Sequence, residues 1–480
     1  MVQLLDRELG RGADPLAAVK SALARLEGAF ALAILFSGRD DILIGARRGS
    51  PLAVGYGKGE MFLGSDAMAL APFTDRVTFL DEGDWAVLTR SGAEFYDETG
   101  AKVSRPVTRT QASALLIDKG NHRHFMAKEI HEQPEVISRT LSYYVRFSDN
   151  TIQLPNVTLP FDRLTKLTIS ACGTAYYAAL TAKYFFERFA KLPVEVDIGS
   201  EFRYREAPLP KDGLALFVSQ SGETADTLAS LRYCKEHGQT IAAVVNVPES
   251  TIAREAGAVL PTRAGPEIGV ASTKAFTCQL TVLACMAIAA GRARGVLSAT
   301  DEAELVRALV QIPRLMTDVL RREAEFKALG HVLAKAPLVL YLGRGQLYPV
   351  ALEGALKLKE ISYLHAEGFA AGELKHGPIA LIDETVPVIA LAPKNVLFDK
   401  MVSNMQEVAA RGAKLIVFSD APEAASSVKA HLHFDLPSAH PLAVPILYAI
   451  PIQLIAYHTA VEMGTDVDQP RNLAKSVTVE

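Results

Sequence analysis

The run Ser219-Gln220-Ser221-Gly222-Glu223-Thr224, continued by Ala225-Asp226-Thr227, puts four hydroxyl side chains within nine residues. It follows the apolar stretch Leu214–Ser219 and opens a helix-forming segment. Hydroxyls and free backbone N–H groups at a helix N-terminus make an anion site, and the helix dipole assists it. Phosphate binding is therefore the chemistry this loop suits. The plainer alternative is an N-cap serine with a nearby glutamate. No GxxxxGK[ST] sequence occurs, and Gly343-Arg344-Gly345 continues to Tyr348 rather than to a third glycine, so NTPase and dinucleotide loops are disfavoured.

Five further groups have reactive residue types. Ala171-Cys172-Gly173-Thr174 is a second strand-to-helix junction, where Gly173 lets the backbone approach a ligand and Thr174 can cap or hold phosphate. An ordinary tight turn would explain it equally well. Val270-Ala271-Ser272-Thr273-Lys274 precedes a long apolar helix and by itself reads as a cap. Glu353, Lys357 and Glu360 fall at i, i+4 and i+7 on one helix face. The residues alone favour an exposed ion-paired stripe there over a carboxylate base tuned by lysine. His376 lies in Glu373-Leu374-Lys375-His376-Gly377-Pro378, a loop of the kind where sites gather. The tail Asp468–Glu480 contains Pro470 and the apolar residues Leu473, Val477 and Val479, so it can dock; Lys475 could then attack a carbonyl and form a Schiff base.

The elements that must position these residues are legible as strand–loop–helix alternation. Strands are expected at Leu167–Ala171, Val194–Ile198, Leu214–Ser219 and Ile241–Val247, with helices at about 175–191, 223–237 and 273–293. This is the signature of a parallel sheet covered by helices on both faces. The pattern restarts near residue 337. With an offset of 172, Gly173 falls on Gly345 and Glu201 on Glu373, which implies an internal duplication.

Residues 1–110 read differently. Short apolar or alternating runs at Phe30–Phe36, Asp41–Ala46, Glu60–Gly64, Val77–Leu80, Asp84–Thr89 and Ala93–Tyr96 are separated by Gly, Asp and Ser clusters. One helix is expected at 14–26. Residues 106–162 read as a linker with a helical approach to the next domain. The 480-residue length suggests about three domains. A composition of 49% apolar and 22% charged residues excludes wholesale disorder. The net charge of -4 disfavours a nucleic-acid partner. The four cysteines form no CxxC pair, so no zinc site or disulfide framework is suggested and a reduced, cytoplasmic setting fits. Leu442–Val461 contains Pro445, Pro451, Gln453 and His458 and reads as a buried helix rather than a membrane span.

Together, SQSGET, VASTKAFT, ALEGALKLKEISY, GELKHGP and the tail DQPRNLAKSVTVE resemble the glutamine–fructose-6-phosphate aminotransferases, whose C-terminal half is two sugar isomerase (SIS) domains. The resemblance covers about residues 20–480. It implies an α/β fold: two tandem SIS domains, each a doubly wound parallel sheet, preceded by a partial α+β N-terminal-nucleophile glutamine amidotransferase domain. The implied boundaries are 1–110 for the partial glutaminase-type domain, 111–160 for a linker, 161–300 and 325–467 for the SIS domains, and 468–480 for an active-site tail.

The resemblance also implies roles. Cys172, Gly173, Thr174, Ser219, Gln220, Ser221, Thr224, Val270 and Ser272 would form the sugar-phosphate site, without metal or cofactor. Glu360 would be the base moving a proton between C1 and C2, with Lys357 assisting. His376 would open the sugar ring, lent by the other subunit of a homodimer, and Lys475 would form the Schiff base. Ala175 stands where some relatives have another serine. The implied activity converts fructose 6-phosphate to glucosamine 6-phosphate in the cytoplasm, with no membrane or nucleic-acid partner. The family's glutaminase uses a cysteine at the mature N-terminus, whereas the first cysteine here is Cys172. Glutamine hydrolysis is therefore not expected from the chain as written, and ammonia is the expected nitrogen donor. A piece of a longer synthase, an ammonia-dependent variant and a separate glutaminase subunit are the explanations, the first favoured. The rival readings are a non-catalytic sugar-phosphate sensor and an amino-sugar-phosphate deaminase.

Overall fold

The computed structural model describes residues 1–110 and 118–478; residues 111–117 of the expected linker and the last two of the tail lie outside the described residues. The chain forms two compact units. One comprises Met1–Asp118 with Glu223–Ala225 and Val477–Glu480, and the other comprises Lys119–Gly222 with Asp226–Ser476.

The first unit contains two antiparallel sheets. Strands β1 (Phe30–Phe36), β2 (Arg39–Arg48), β6 (Trp85–Thr89), β7 (Gly92–Tyr96) and β8 (Lys102–Val103) form one, in the order β1-β2-β6-β7-β8. Strands β3 (Ala53–Tyr56), β4 (Met61–Gly64), β5 (Arg76–Phe79) and β9 (Thr108–Arg109) form the other, in the order β4-β3-β5-β9. Alternation along β6 serves both faces of its sheet. Trp85 and Val87 pack with Ala18, Val19 and Ala22 of the helix Pro15–Leu23, and Ala86 and Leu88 pack with Leu52, Val54 and Leu80. The helix starts sharply because Asp14 accepts the N–H of Leu16 at 2.9 Å and of Ala17 at 3.1 Å, and Pro15 occupies its first turn. The helix Val2–Gly10 and strand β3 were not expected from the sequence. Residues of the chain end belong to this unit: Ala225 N–H donates to the Val477 carbonyl at 3.0 Å, and Ser50 Oγ to that of Thr478 at 3.1 Å.

The second unit begins with the helices Phe125–His131 and Gln133–Tyr144 and a short hairpin, β10 (Val145–Arg146) and β11 (Thr151–Ile152). The helices sit in its core through Met126, Ile130, Val136, Ile137, Leu141 and Tyr144. The stretch read as a linker is thus packed structure from residue 125 onward. Two parallel sheets follow. The first has β12 (Lys166–Ala171), β13 (Val194–Ile198), β14 (Gly213–Ser219), β15 (Thr240–Val245) and β16 (Ala258–Pro261), ordered β13-β12-β14-β15-β16. The second has β17 (Val339–Gly343), β18 (Ala366–Ala370), β19 (Pro387–Leu391), β20 (Lys414–Ser419) and β21 (Leu432–Asp435), ordered β18-β17-β19-β20-β21.

Every residue of β14 is buried, which is why it reads as an unbroken apolar run. Leu214, Leu216 and Val218 face one core and Ala215 and Phe217 another; each large side chain so buried contributes about 1.5–3 kcal/mol. Strand β16 escaped the sequence reading; it ends on Pro261 at the sheet edge, where no ladder N–H is required.

The two sheets have the same strand order, as the duplication requires. The correspondence extends to single residues. Cys172 (φ -124, ψ 150) precedes Gly173 at φ 55, and Arg344 (φ -130, ψ 147) precedes Gly345 at φ 56. This left-handed step after the first strand is one that glycine takes at least cost. In each sheet the strand order reverses between the first and third strands, which opens a crevice at the carboxyl ends of the strands, where ligands bind in open α/β sheets.

The helices Lys274–Ala293 and Val444–Met463 are long and apolar enough to cross a membrane, but 94% of each hydrophobic window is buried inside the protein. The second overlaps Leu442–Val461, the stretch read as a buried helix, from Val444 onward.

Candidate active site

The crevice of the first sheet is bounded by the turns after β12 and β14. After β14, Ser219 Oγ accepts the N–H of Gly222 at 3.0 Å, closing a tight turn. The Gln220 carbonyl accepts the N–H of Asn246 at 3.2 Å, and that of Gly222 accepts Ile252 N–H at 3.0 Å, which ties the loop to the end of β15. Gly222 has φ 67, and a Cβ there would lie 2.0 Å from Ser250 Oγ. After β12, Cys172 precedes the first turn of the helix Gly173–Phe185, with its Sγ 3.6 Å from Thr227 Oγ1; burial raises its thiol pKa. Thr224 falls in the segment grouped with the first unit, immediately before the helix Ala225–Glu236 along the chain.

The second sheet contributes through the helix Tyr348–Ser362. Its Glu353 and Lys357 are fully buried, contrary to the exposed stripe expected from the residues alone. The spacing is helical as read; the stripe faces the interior. Thr174 Oγ1 donates to Glu353 Oε1 at 3.2 Å, while Glu353 Oε2 is buried with no hydrogen-bond partner among the described residues. Burial pushes the Glu353 carboxyl up to about 8, so at neutral pH it holds its proton. Lys357 Nζ lies 3.6 Å from Glu353 Oε1 and closer still to Glu360 Oε2. Burial works against the ammonium of Lys357, but Glu353 and Glu360 outweigh it and raise its pKa. With Glu353 neutral, Glu360 is the partner that balances this charge.

The third component is the loop before the helix Lys274–Ala293. Glu267 is buried, and its Oε1 accepts the N–H groups of Thr273 at 2.9 Å and Ala275 at 3.0 Å. Its Oε2 accepts from Ser272 Oγ at 3.0 Å and from Lys475 Nζ at 2.6 Å. Burial opposes its charge, yet Lys475 and these amides hold its carboxyl down to about 2. The tail that carries Lys475 is therefore docked. Lys475 also donates to the Gly269 carbonyl at 2.8 Å, Ser476 Oγ lies 3.0 Å from Ser221 Oγ, and the Asp468 carbonyl accepts Val270 N–H at 3.0 Å.

The structure thus brings Ser221 and Ser476 together, Thr174 and Glu353, Lys357 and Glu360, and Ser272, Glu267 and Lys475. It does not bring His376 to them: this residue is exposed at the end of the turn Ala371–His376, and no hydrogen bond joins it to the cluster among the described residues. Sequence reasoning missed Glu267 and Glu129, another buried carboxyl. Glu267 lay three residues before the Val270–Lys274 motif, outside the residues singled out, while Glu129 lay in the stretch read as an approach segment.

Two parallel sheets of equal strand order, with the hydroxyl loop at the switch point of the first, define a tandem SIS-domain protein. The SIS domain family matches residues 164–289 and 332–463. The chain is 62% identical to the glutamine–fructose-6-phosphate aminotransferase [isomerizing] of Brucella abortus over 100% of its own length and 79% of that protein's. The solved C-terminal domain of the glucosamine-fructose-6-phosphate aminotransferase of Francisella tularensis superimposes with a TM-score of 0.71 at 42% identity, over 73% of this chain and 100% of that one. The chain belongs to the glutamine–fructose-6-phosphate aminotransferase family. The glucosamine-6-phosphate deaminase of Thermotoga maritima, at 22% identity and TM-score 0.57 over 74% of this chain and 99% of that one, shares the fold.

Proposed function

We propose that this polypeptide converts fructose 6-phosphate and ammonia into glucosamine 6-phosphate and water. The observation that carries the reading is the docking of Lys475 on buried Glu267 beside the Ser219–Gly222 loop. The phosphate is anchored by Ser219, Gln220, Ser221 and Thr224, and the sugar lies along Cys172, Gly173, Thr174, Val270 and Ser272. Lys475 attacks the ketone at C2 and water leaves; ammonia then displaces the lysine. Glu360 carries the proton between C2 and C1 to give the aldose amine, and Lys357 holds Glu360 in place. His376, exposed on its own chain, opens the sugar ring of a second copy in a cytoplasmic homodimer.

Ammonium rather than glutamine is the nitrogen source for these 480 residues. Hydrolysis of an amide by cysteine needs a thiolate. Burial pushes the thiols of Cys234, Cys278 and Cys285 up to about 12, and Cys172 belongs to the proposed sugar site.

The test is an assay of glucosamine 6-phosphate formed from fructose 6-phosphate with either ammonium or glutamine. Product with ammonium alone is the expected result. Product with glutamine would overturn the reading of the nitrogen source. Phosphosugar binding without product from either donor would replace the enzyme with a sensor.

A further inference from the structure

Glu129 stands on the helix Phe125–His131 and is 2% exposed. Its Oε1 accepts the N–H of Ile268 and, at 3.1 Å, that of Gly269; its Oε2 is buried with no hydrogen-bond partner among the described residues. Gly269 therefore gives its N–H to Glu129 and its carbonyl to Lys475. A Cβ on residue 269 would lie 2.9 Å from Glu129 Oε2 and 3.6 Å from Met126 Cβ, so a side chain there would make this carboxyl shift. Asp468 closes the circuit. Its carboxylate accepts the N–H of Phe125 at 2.9 Å and Met126 at 3.0 Å, at the start of the helix that carries Glu129. The tail is thus fastened to that helix upstream of Lys475 and meets it again through Gly269.

We propose that Glu129 is a positioning residue for Lys475: it fixes the Gly269 peptide, and with it the carbonyl that receives the amine. The inference rests on the reading of Lys475 as the imine-forming lysine. The charged groups around Glu129 are Glu267 on the loop, Lys475 and Asp468 on the tail, and Lys274, which pairs with Glu132 at 2.6 Å. Burial first, and then the charge on Glu267, push the Glu129 carboxyl up to about 8.

Reductive trapping tests this. Fructose 6-phosphate and cyanoborohydride are added to the full chain. The Lys475 nitrogen bonds to C2 and water leaves. Hydride from the reductant then converts the imine to a secondary amine, counted as the mass gain of the Lys475 peptide. E129Q keeps an acceptor for the two amides but has no titrating proton. It should trap within about two-fold of wild type, because the acceptor that fixes Gly269 is kept. E129D withdraws the carboxyl by one methylene and should trap at least about ten-fold more slowly, with phosphosugar binding unchanged. E129Q trapping as slowly as E129D would overturn the proposal, as would E129D at the wild-type rate. K475R separates the two readings. Trapping that persists in K475R, or that is absent from wild type, overturns the imine assignment and this inference with it.

Discussion

Thr174 and Glu353 are joined by a 3.2 Å hydrogen bond, although one follows the first strand of the first parallel sheet and the other lies on the helix after the first strand of the second. The bond holds the two repeats together at corresponding elements. Thr174→Val leaves the buried Glu353 carboxyl without its hydroxyl donor. The expected cost is about 1–3 kcal/mol of stability, measured by urea unfolding. A variant as stable as wild type would mean that the bond contributes nothing net.

Lys475→Arg retains a cation beside Glu267 but has no amine that can form an imine. Product from fructose 6-phosphate and ammonium should disappear, while binding of the phosphosugar, followed by calorimetry, should persist. Retained turnover would remove Lys475 from the chemistry.

Glu360→Gln removes the proposed proton carrier and keeps its shape. Turnover should fall by about 10²–10⁴, the usual worth of a positioned general base. Exchange of the C1 proton of the sugar with deuterated solvent, read by NMR, should fall with it. Exchange at the wild-type rate would move the base elsewhere.

Glu353 makes stability depend on pH. Its folded pKa of about 8 lies above the ordinary carboxyl value of about 4.3. The group's contribution is then fully present below about pH 4.3 and is lost as pH rises through about 8, because the unfolded chain gains from ionising it first. Glu353→Gln removes this dependence. Between about pH 5 and 8 the melting temperature of the variant should gain steadily on that of wild type. A constant difference would contradict the buried neutral state.

Gly222→Ala should destabilise the hydroxyl loop. The residue adopts φ 67, and a Cβ would meet Ser250 Oγ at 2.0 Å. Backbone strain alone costs about 1–3 kcal/mol. Adding Ser250→Gly removes the clash but not the strain, so the double variant should regain part of the lost stability and phosphosugar affinity. An equally impaired double variant would remove the clash from the explanation.

The parallel sheets were legible because fully buried strands such as β14 are continuous apolar runs closed by polar turns. The duplication was legible because Gly173 and Gly345 need the same backbone step. What stayed hidden was direction. The spacing of Glu353, Lys357 and Glu360 is the same whether the stripe faces solvent or the interior, and only the packed neighbours decide. Glu129 was hidden for another reason: its partners are the backbone amides of Ile268 and Gly269, more than a hundred positions away, and no side-chain pattern advertises them. Roughly the first hundred residues gave most strands but not the helix Val2–Gly10, whose few apolar residues are broken up by charge.

The repeat copies a scaffold without copying its contents. Where the first sheet has Cys172 and the hydroxyl loop, the second has Arg344 and the sequence Ala392-Pro393-Lys394. Arg344 donates to Asn404 Oδ1 at 2.8 Å, and its guanidinium lies 3.1 Å from where a Cβ of residue 372 would stand. The second opening thus carries an arginine held by Asn404 where the first carries a cysteine and hydroxyls. A doubled architecture has diverged in its contents, and the helix after the second sheet's first strand reaches back to the first repeat through Glu353.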